Sequence, residues 1–255
     1  MNPNRNAAVA LALSLTALLA MFGFVPPMPQ PQEYHRFADQ SLHFGIPHFF
    51  DSVSNLLFIL AGVAGLRFLA SGRARLAFTD RREALAYWWF FGASVLVGLG
   101  SGYYHLAPDD SRLFWDRAAI AMALMSWLAA IVGERIDLAW GRRLLPLLVL
   151  AGVGSAVYWL WSESAGRGDL RPYLFMQLVP MLGVPLLLWL YRPRYPGDRD
   201  ILVVLALYPA ALACDFLDKP IAGLLGFVSG HTLKHVLAAA AVWWVLVGLR
   251  RRRPS

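Results

Sequence analysis

Three histidines in otherwise apolar stretches are the residues of this sequence best suited to chemistry. His105 ends the stretch "SGYYH", and His231 and His235 frame "HTLKH". Histidines four residues apart in a helix share one face, a common arrangement for two metal ligands. Three imidazoles leave a fourth coordination position open, which is how catalytic zinc sites are built. The sequence therefore predicts a zinc ion bound by His105, His231 and His235.

A serine and an aspartate are spaced so that they can act beside such a metal. Ser101 lies four residues before His105, so its hydroxyl is one turn deeper on the same helix face. Pro108 interrupts that helix, and Asp116, about one turn into the next helix, returns to the depth of His105. Zinc acidifies water and polarises a carbonyl. We therefore predict Asp116 as the acid/base and Ser101 as the group that stabilises an oxyanion or positions water.

The composition indicates an integral membrane protein. Hydrophobic residues make up 58% of the 255 residues and charged residues only 15%, whereas about 25% charged residues is usual in soluble domains. Apolar segments recur at the length of roughly 20 residues that a bilayer crossing requires. The eight segments are approximately 7–25, 50–70, 84–106, 112–133, 143–161, 172–191, 200–217 and 227–249. We therefore predict an all-α, polytopic transmembrane bundle with a seven-helix core and one extra N-terminal helix.

Two further features limit the possibilities. The first segment ends within "MFGFVPP", a poor signal-peptidase site, so we expect it to be retained as a helix. Cys214 is the single cysteine, which excludes a disulfide framework and a thiolate metal cage.

The distribution of lysine and arginine predicts the orientation in the membrane. Of the 23 such residues, 16 fall at the two termini and in the loops after segments two, four and six, and 6 fall on the other face. Positive residues remain on the cytoplasmic side. We therefore expect both termini in the cytoplasm, the histidines towards the periplasmic face of a bacterial inner membrane, and no nucleic-acid partner.

The order of the motifs along the chain is more specific than any one of them. The opening "YHRFADQSLHFGIPHFFDSVSN" is followed by "GSGYYH", by an aspartate eleven residues after that histidine, and by H-x3-H in the last helix. This order resembles the alkaline ceramidase family, within a superfamily of seven-helix membrane hydrolases that includes the adiponectin and progestin receptors. The resemblance covers residues 34–255, so residues 1–33 are expected to form an additional transmembrane helix and linker.

The resemblance implies a function for the predicted site. In that family a zinc site of this pattern hydrolyses the amide bond of ceramides, so the implied substrate is a membrane lipid, an N-acyl sphingoid or similar molecule, in the bilayer. His105, His231 and His235 are then the zinc ligands, and Asp116 and Ser101 the catalytic residues. Eukaryotic members also carry a calcium site with a glutamate where this sequence has His48, so we do not extend the resemblance to calcium.

Two other classes of function remain open at this point. A lipid receptor or lipid-binding protein can hold zinc as a structural ion, although it has no need of Asp116 and Ser101 beside the metal. An intramembrane serine protease can use the "GSG" at 100–102, although the H-x3-H pair then has no role. A chelator separates the protease from the metal-dependent alternatives.

Several polar residues are expected to have structural roles. Lys234, on another helix face than the two histidines beside it, is expected to pair with Asp215 or Asp218. His35 and His43 fall in the first outer loop and are predicted to be surface residues.

Overall fold

The apolar segments fold as helices, because a helix satisfies its backbone hydrogen bonds internally where no water is available. The structure is a computed structural model that describes residues 3–252, and the side chains of residues 3–8, 10, 11, 14 and 15 are not described. The helices are α1 (Pro3–Phe24), α2 (Phe49–Ser54), α3 (Leu56–Ala70), α4 (Ala84–Leu106), α5 (Asp110–Arg135), α6 (Leu138–Ser164), α7 (Arg171–Leu190), α8 (Asp198–Phe216), α9 (Asp218–Leu225) and α10 (Gly230–Arg251).

The connections contain little regular structure. A two-stranded antiparallel hairpin pairs β1 (Leu42–His43) with β2 (Ile46–Pro47). Short 3-10 turns cover Gln32–His35, Gly72–Leu76 and Arg81–Glu83.

The prediction of an all-α membrane bundle is confirmed. Among residues 3–252, six helices are long and apolar enough to cross a membrane. A seventh is added when α8 and α9, bent by 81° relative to each other, are counted as one span. The extra N-terminal helix is also present as α1, which packs against α7. That α1 makes an eighth crossing of the membrane stays a prediction.

Helix α5 is the centre of the bundle. It packs against α4, α6 and α7, and most of its side chains are buried. Asp109 caps its first turn by accepting a hydrogen bond from the backbone N–H of Arg112 at 2.8 Å. Ser229 does the same for α10 by accepting from the N–H of Thr232 at 2.8 Å. Such caps satisfy backbone donors that a helix start leaves free, so they fix where both helices begin.

Two glycines in "GLGSGYYH" allow α4 to approach its neighbours closely. A Cβ at Gly98 would lie 2.7 Å from the backbone oxygen of Asn55, and one at Gly100 would lie 2.7 Å from that of Trp115. A side chain at either position is therefore incompatible with the packing of α4 against α3 and α5. The two glycines make the close contacts, and Ser101, which directly follows Gly100, is buried in the interior.

A buried ion pair closes the end of the bundle opposite the three histidines. The Glu134 carboxylate on α5 accepts from Tyr87 at 2.6 Å and from Arg252 at 2.5 and 3.1 Å. The Arg252 guanidinium also lies 4.5 Å from the ring centre of Tyr195, in the α7–α8 connection. The residue after α10 is therefore tied to α4, α5 and this connection at one point.

Replacing Arg252 by alanine leaves the Glu134 carboxylate buried without its counter-charge. We expect the free energy of unfolding to fall by about 3–5 kcal/mol. Arg251→Ala is the matched control, because the Arg251 side chain is 63% exposed where it pairs with Asp200, and exposed pairs contribute about 0–1 kcal/mol. Unfolding of both variants in mixed micelles measures the difference, and equal stabilities would contradict this assignment.

Candidate metal centre

The structure brings His105, His231 and His235 together as one buried group, here called the histidine triad. The ring centres are 4.8 Å apart for His105 and His231, 5.0 Å for His105 and His235, and 4.8 Å for His231 and His235. One nitrogen from each ring lies within 4.8 Å of the other two, an arrangement that can hold a metal ion. The prediction that α4 and α10 meet at these residues is confirmed.

Hydrogen bonds orient the His235 ring. Its Nδ1 lies 3.1 Å from the backbone oxygen of Asp51 and 2.8 Å from the hydroxyl oxygen of Ser54. A carbonyl oxygen can only accept, so Nδ1 carries the proton and Nε2 keeps its lone pair for a metal. The Asp51 carboxylate also accepts from Ser229 at 2.8 Å and from Thr232 at 2.5 Å. Helix α2 is thereby fixed to the start of α10.

A carboxylate orients the His231 ring. Its Nδ1 lies 2.6 Å from Asp215 Oδ1, and because a carboxylate only accepts, the proton is again on Nδ1. Metal-binding histidines usually donate their other N–H to such a group, which fixes the tautomer and raises the basicity of the ligand. Lys234 Nζ lies 3.3 Å from the same oxygen, so the predicted pairing of Lys234 with Asp215 is confirmed.

Tyr34 completes the surroundings of Asp215. Its hydroxyl lies 3.5 Å from Asp215 Oδ2. Burial, with a further contribution from the Asp215 charge, raises the pKa of Tyr34 to about 12. The hydroxyl is therefore protonated at neutral pH and donates to the carboxylate.

His105 is the histidine of the triad without a hydrogen bond from its ring nitrogens to any described residue. It is fully buried, and within the described chain neither of its ring nitrogens has a hydrogen-bond partner. Leaving such a group unsatisfied costs about 1–3 kcal/mol. A metal shared with the other two imidazoles satisfies it. The triad therefore fits a metal ion with three nitrogen ligands, and imidazole donors suit zinc, copper, iron or nickel.

Asp116 and Ser101 face the same interior space. Both side chains are buried, Ser101 on α4 and Asp116 in the second turn of α5. Asp116 Oδ1 has no partner in the part of the chain that the structure describes. Together with His235 they line a cavity of about 320 Å³, a volume in the range of small-molecule sites.

The rest of this cavity is mostly apolar. It runs between α4, α5, α7, α8 and α10 and ends among Trp127, Val204 and Val242. Its polar end, with Ser101 and Asp116, and its apolar depth together match a molecule with a polar group and a long hydrocarbon chain.

The segment before α2 covers the triad through the side chain of Phe37. The Phe37 ring lies 4.5 Å from that of His105 and 4.6 Å from that of His231. The prediction that His35 is a surface residue is wrong. Its side chain is only 10% exposed, because Nδ1 lies 2.8 Å from the Tyr104 hydroxyl and Nε2 3.1 Å from Asp110. His43 is exposed, as predicted.

The sequence predicts Asp215 only as a possible partner of Lys234. It does not predict the contact of Asp215 with His231. An acidic residue near the end of an apolar helix is the signal that points to it. The contact itself depends on where α8 ends relative to α10.

Comparisons with models of protein families and with curated proteins give no match to this sequence. The resemblance to alkaline ceramidases therefore depends on the short motifs that supply the triad, Ser101 and Asp116. Of these residues, Ser101, Asp116 and His235 line one cavity, although they come from three helices.

Removing the carboxylate behind His231 should weaken metal binding without removing a ligand. We expect Asp215→Asn to lower zinc affinity by about 10- to 100-fold, and His231→Ala to lose most of the metal. Competition with a chelator, read by elemental analysis, measures both. Asp198→Asn is the control, because Asp198 lies at the opposite end of the same helix and pairs with Arg135. Wild-type affinity in Asp215→Asn would contradict the role given to this carboxylate.

Proposed function

We propose that this protein is a zinc-dependent amide hydrolase that acts within the membrane and releases fatty acid from ceramide-like N-acyl lipids. The observation that carries the proposal is the position of Asp116 and Ser101. Both open, together with His235 of the triad, into one cavity with apolar walls. A metal site with an acid/base and a hydroxyl beside it meets the requirements of amide hydrolysis.

The chain contributes binding, orientation and proton transfer. A zinc ion on the triad acts as a Lewis acid and makes water nucleophilic near neutral pH. Asp116 receives the proton of the attacking water and returns it to the departing amine. The Ser101 hydroxyl donates a hydrogen bond to the oxygen of the amide carbonyl as negative charge develops there. The apolar walls hold the acyl chain, and Phe37 keeps bulk water from the triad.

A lipid receptor with structural zinc accounts for the cavity and the triad equally well. It gives no reason for Asp116 Oδ1 to be buried beside the cavity with no partner among the described residues. A serine protease needs a histidine or lysine base bonded to its serine. In residues 3–252 the bonds of the triad nitrogens go instead to Asp51, Ser54 and Asp215. The hydrolase is therefore the better proposal.

The proposal includes an orientation in a bacterial inner membrane. The arginine-rich end, with Arg135, Arg194 and Arg252, lies opposite the triad. By the positive-inside rule it faces the cytoplasm and the triad faces the periplasm. Lipid then reaches the cavity from the outer leaflet.

Asp116→Asn separates catalysis from metal binding. We expect this variant to retain zinc, because Asp116 is not one of the three ligands, and to lose about 10²- to 10⁴-fold in turnover, because the amide group cannot carry the proton. Fatty acid release from N-acyl sphingoids and zinc content are measured on the same preparation.

The control is Asp109→Asn, which keeps a good capping residue at the start of the same helix and should behave as wild type. Undiminished turnover in Asp116→Asn, or no turnover of any N-acyl lipid by the zinc-loaded wild type, would contradict the proposed reaction.

The orientation is tested by fusing reporters after Ser255. We expect a reporter that works only in the cytoplasm to be active, because the C-terminal arginines resist translocation. Alkaline phosphatase at the same position should be inactive. The opposite result would place the triad on the cytoplasmic side.

A further inference from the structure

Arg117, the neighbour of Asp116, is a buried cation that the proposed reaction does not use. It is only 7% exposed and lines the same cavity. Its Nη2 donates to Gln30 Oε1 at 2.5 Å, and its guanidinium lies 4.0 Å from the Trp159 ring centre and 5.0 Å from that of Tyr173. Its Nη1 is buried without a hydrogen-bond partner among the described atoms.

The two cations that line the cavity differ in whether a carboxylate forms an ion pair with them. Lys234, the other cation of the lining, lies 3.3 Å from Asp215. No carboxylate of residues 3–252 forms an ion pair with Arg117 in the structure. The aromatic rings attract the guanidinium, but they do not supply an acceptor for the Nη1 hydrogens. Burying a cation whose N–H donor has no acceptor costs free energy, unless a bound ligand accepts that hydrogen bond.

A purely structural role explains only part of this arrangement. Through Gln30 and Trp159, Arg117 ties the segment before α2 to α5 and α6. A neutral donor such as glutamine is sufficient for that tether. A charged side chain that lines a cavity and has one nitrogen without a hydrogen-bond partner among the described residues suits recognition of an oxyanion, because a guanidinium binds carboxylates through paired N–H groups.

The position of Arg117 limits the distance between the oxyanion and the amide. Arg117 and Asp116 are consecutive residues, with Cα atoms about 3.8 Å apart, and both side chains line the cavity. A group held by Arg117 therefore lies within a few bonds of the amide that Asp116 serves. Arg117 is the cation of the lining that has no ion-pair partner among the described residues, since Lys234 pairs with Asp215, and a single guanidinium suits a monoanion.

We propose that the substrate is an N-acyl α-amino acid, whose carboxylate next to the amide nitrogen is bound by Arg117. This rests on the proposed hydrolase function and specifies its substrate class. The reaction consumes one water: the amide C–N bond breaks, a C–O bond forms, and Asp116 passes a proton to the leaving nitrogen. The products are a fatty acid and a free amino acid. The bound carboxylate is unchanged, so Arg117 determines specificity and is not a catalytic residue.

The first test compares N-palmitoylglycine with its methyl ester and with N-palmitoylsphingosine on the zinc-loaded wild-type protein. The acid and its ester differ in the charge that Arg117 is proposed to bind. We expect kcat/KM to be about a hundredfold higher for the acid, mainly through KM, because the ester leaves a buried charged donor without its acceptor. Equal rates for acid and ester, or a preference for the sphingosine amide, would overturn the substrate class and leave the hydrolase proposal standing.

Variants assign the preference to Arg117. We expect Arg117→Gln to abolish the discrimination between acid and ester, and Arg117→Lys to retain part of it. Arg112→Gln is the matched control on the same helix, because Arg112 pairs with Asp109 outside the cavity. Persistence of the full preference in a folded, zinc-containing Arg117→Gln protein would overturn the assignment. If that variant does not fold, the comparison of acid and ester on the wild type still decides the substrate class.

A binding measurement separates this inference from the hydrolase proposal. In Asp116→Asn, calorimetry should show tight binding of N-palmitoylglycine and weak binding of its ester. Selective binding of the acid, without turnover by the wild type, would overturn the hydrolase and support the carboxylate site. Palmitate could also bind as tightly as N-palmitoylglycine and lose this affinity in Arg117→Gln. That result would assign the site to the fatty acid product and overturn the proposed substrate.

Discussion

The structure depends on satisfying three imidazoles and their carboxylates inside a bundle with little access to water. An ionisable side chain at the centre of a bilayer helix costs about 2.5–3.5 kcal/mol, so such groups occur in compensated sets. Here the backbone oxygen of Asp51 accepts a hydrogen bond from His235 Nδ1. The Asp215 carboxylate accepts one from His231 Nδ1. Both rings therefore keep Nε2 for a metal, and fully buried His105 completes the group. A metal ion bound by the triad would satisfy all three rings at once.

The same requirement explains the packing around the triad. Ser229 caps α10 and also donates to Asp51, so one hydroxyl fixes both the helix start and the carboxylate. The segment before α2 folds over the triad because Phe37 covers two of its rings and Tyr34 bonds to Asp215. At the opposite end, Glu134 and Arg252 join the helix ends in a second polar cluster. The apolar layer between the two clusters contains the cavity.

The two cations of the cavity differ in a way that suggests different roles. Lys234 is neutralised by Asp215, so it supports the orientation of His231. Arg117 is held by an amide oxygen and aromatic rings, which leave its charge available. An enzyme that must place an amide beside Asp116 gains from a fixed charge next to it, because binding energy from a non-reacting group positions the reacting one. A neutral ceramide does not use that charge, whereas an N-acyl amino acid does.

The sequence by itself determined the helices, the three histidines as a group and the pairing of Lys234, because hydropathy and i,i+4 spacing are local signals. It also placed Ser101 and Asp116 at the depth of the triad. Only the tertiary structure decided that the His35 side chain is largely covered, that α8 and α9 meet at 81°, and that Arg117 lines the cavity with one nitrogen that has no hydrogen-bond partner among the described residues. These features depend on where an aperiodic segment and helix ends pack, and contacts between residues distant in sequence leave no periodic pattern.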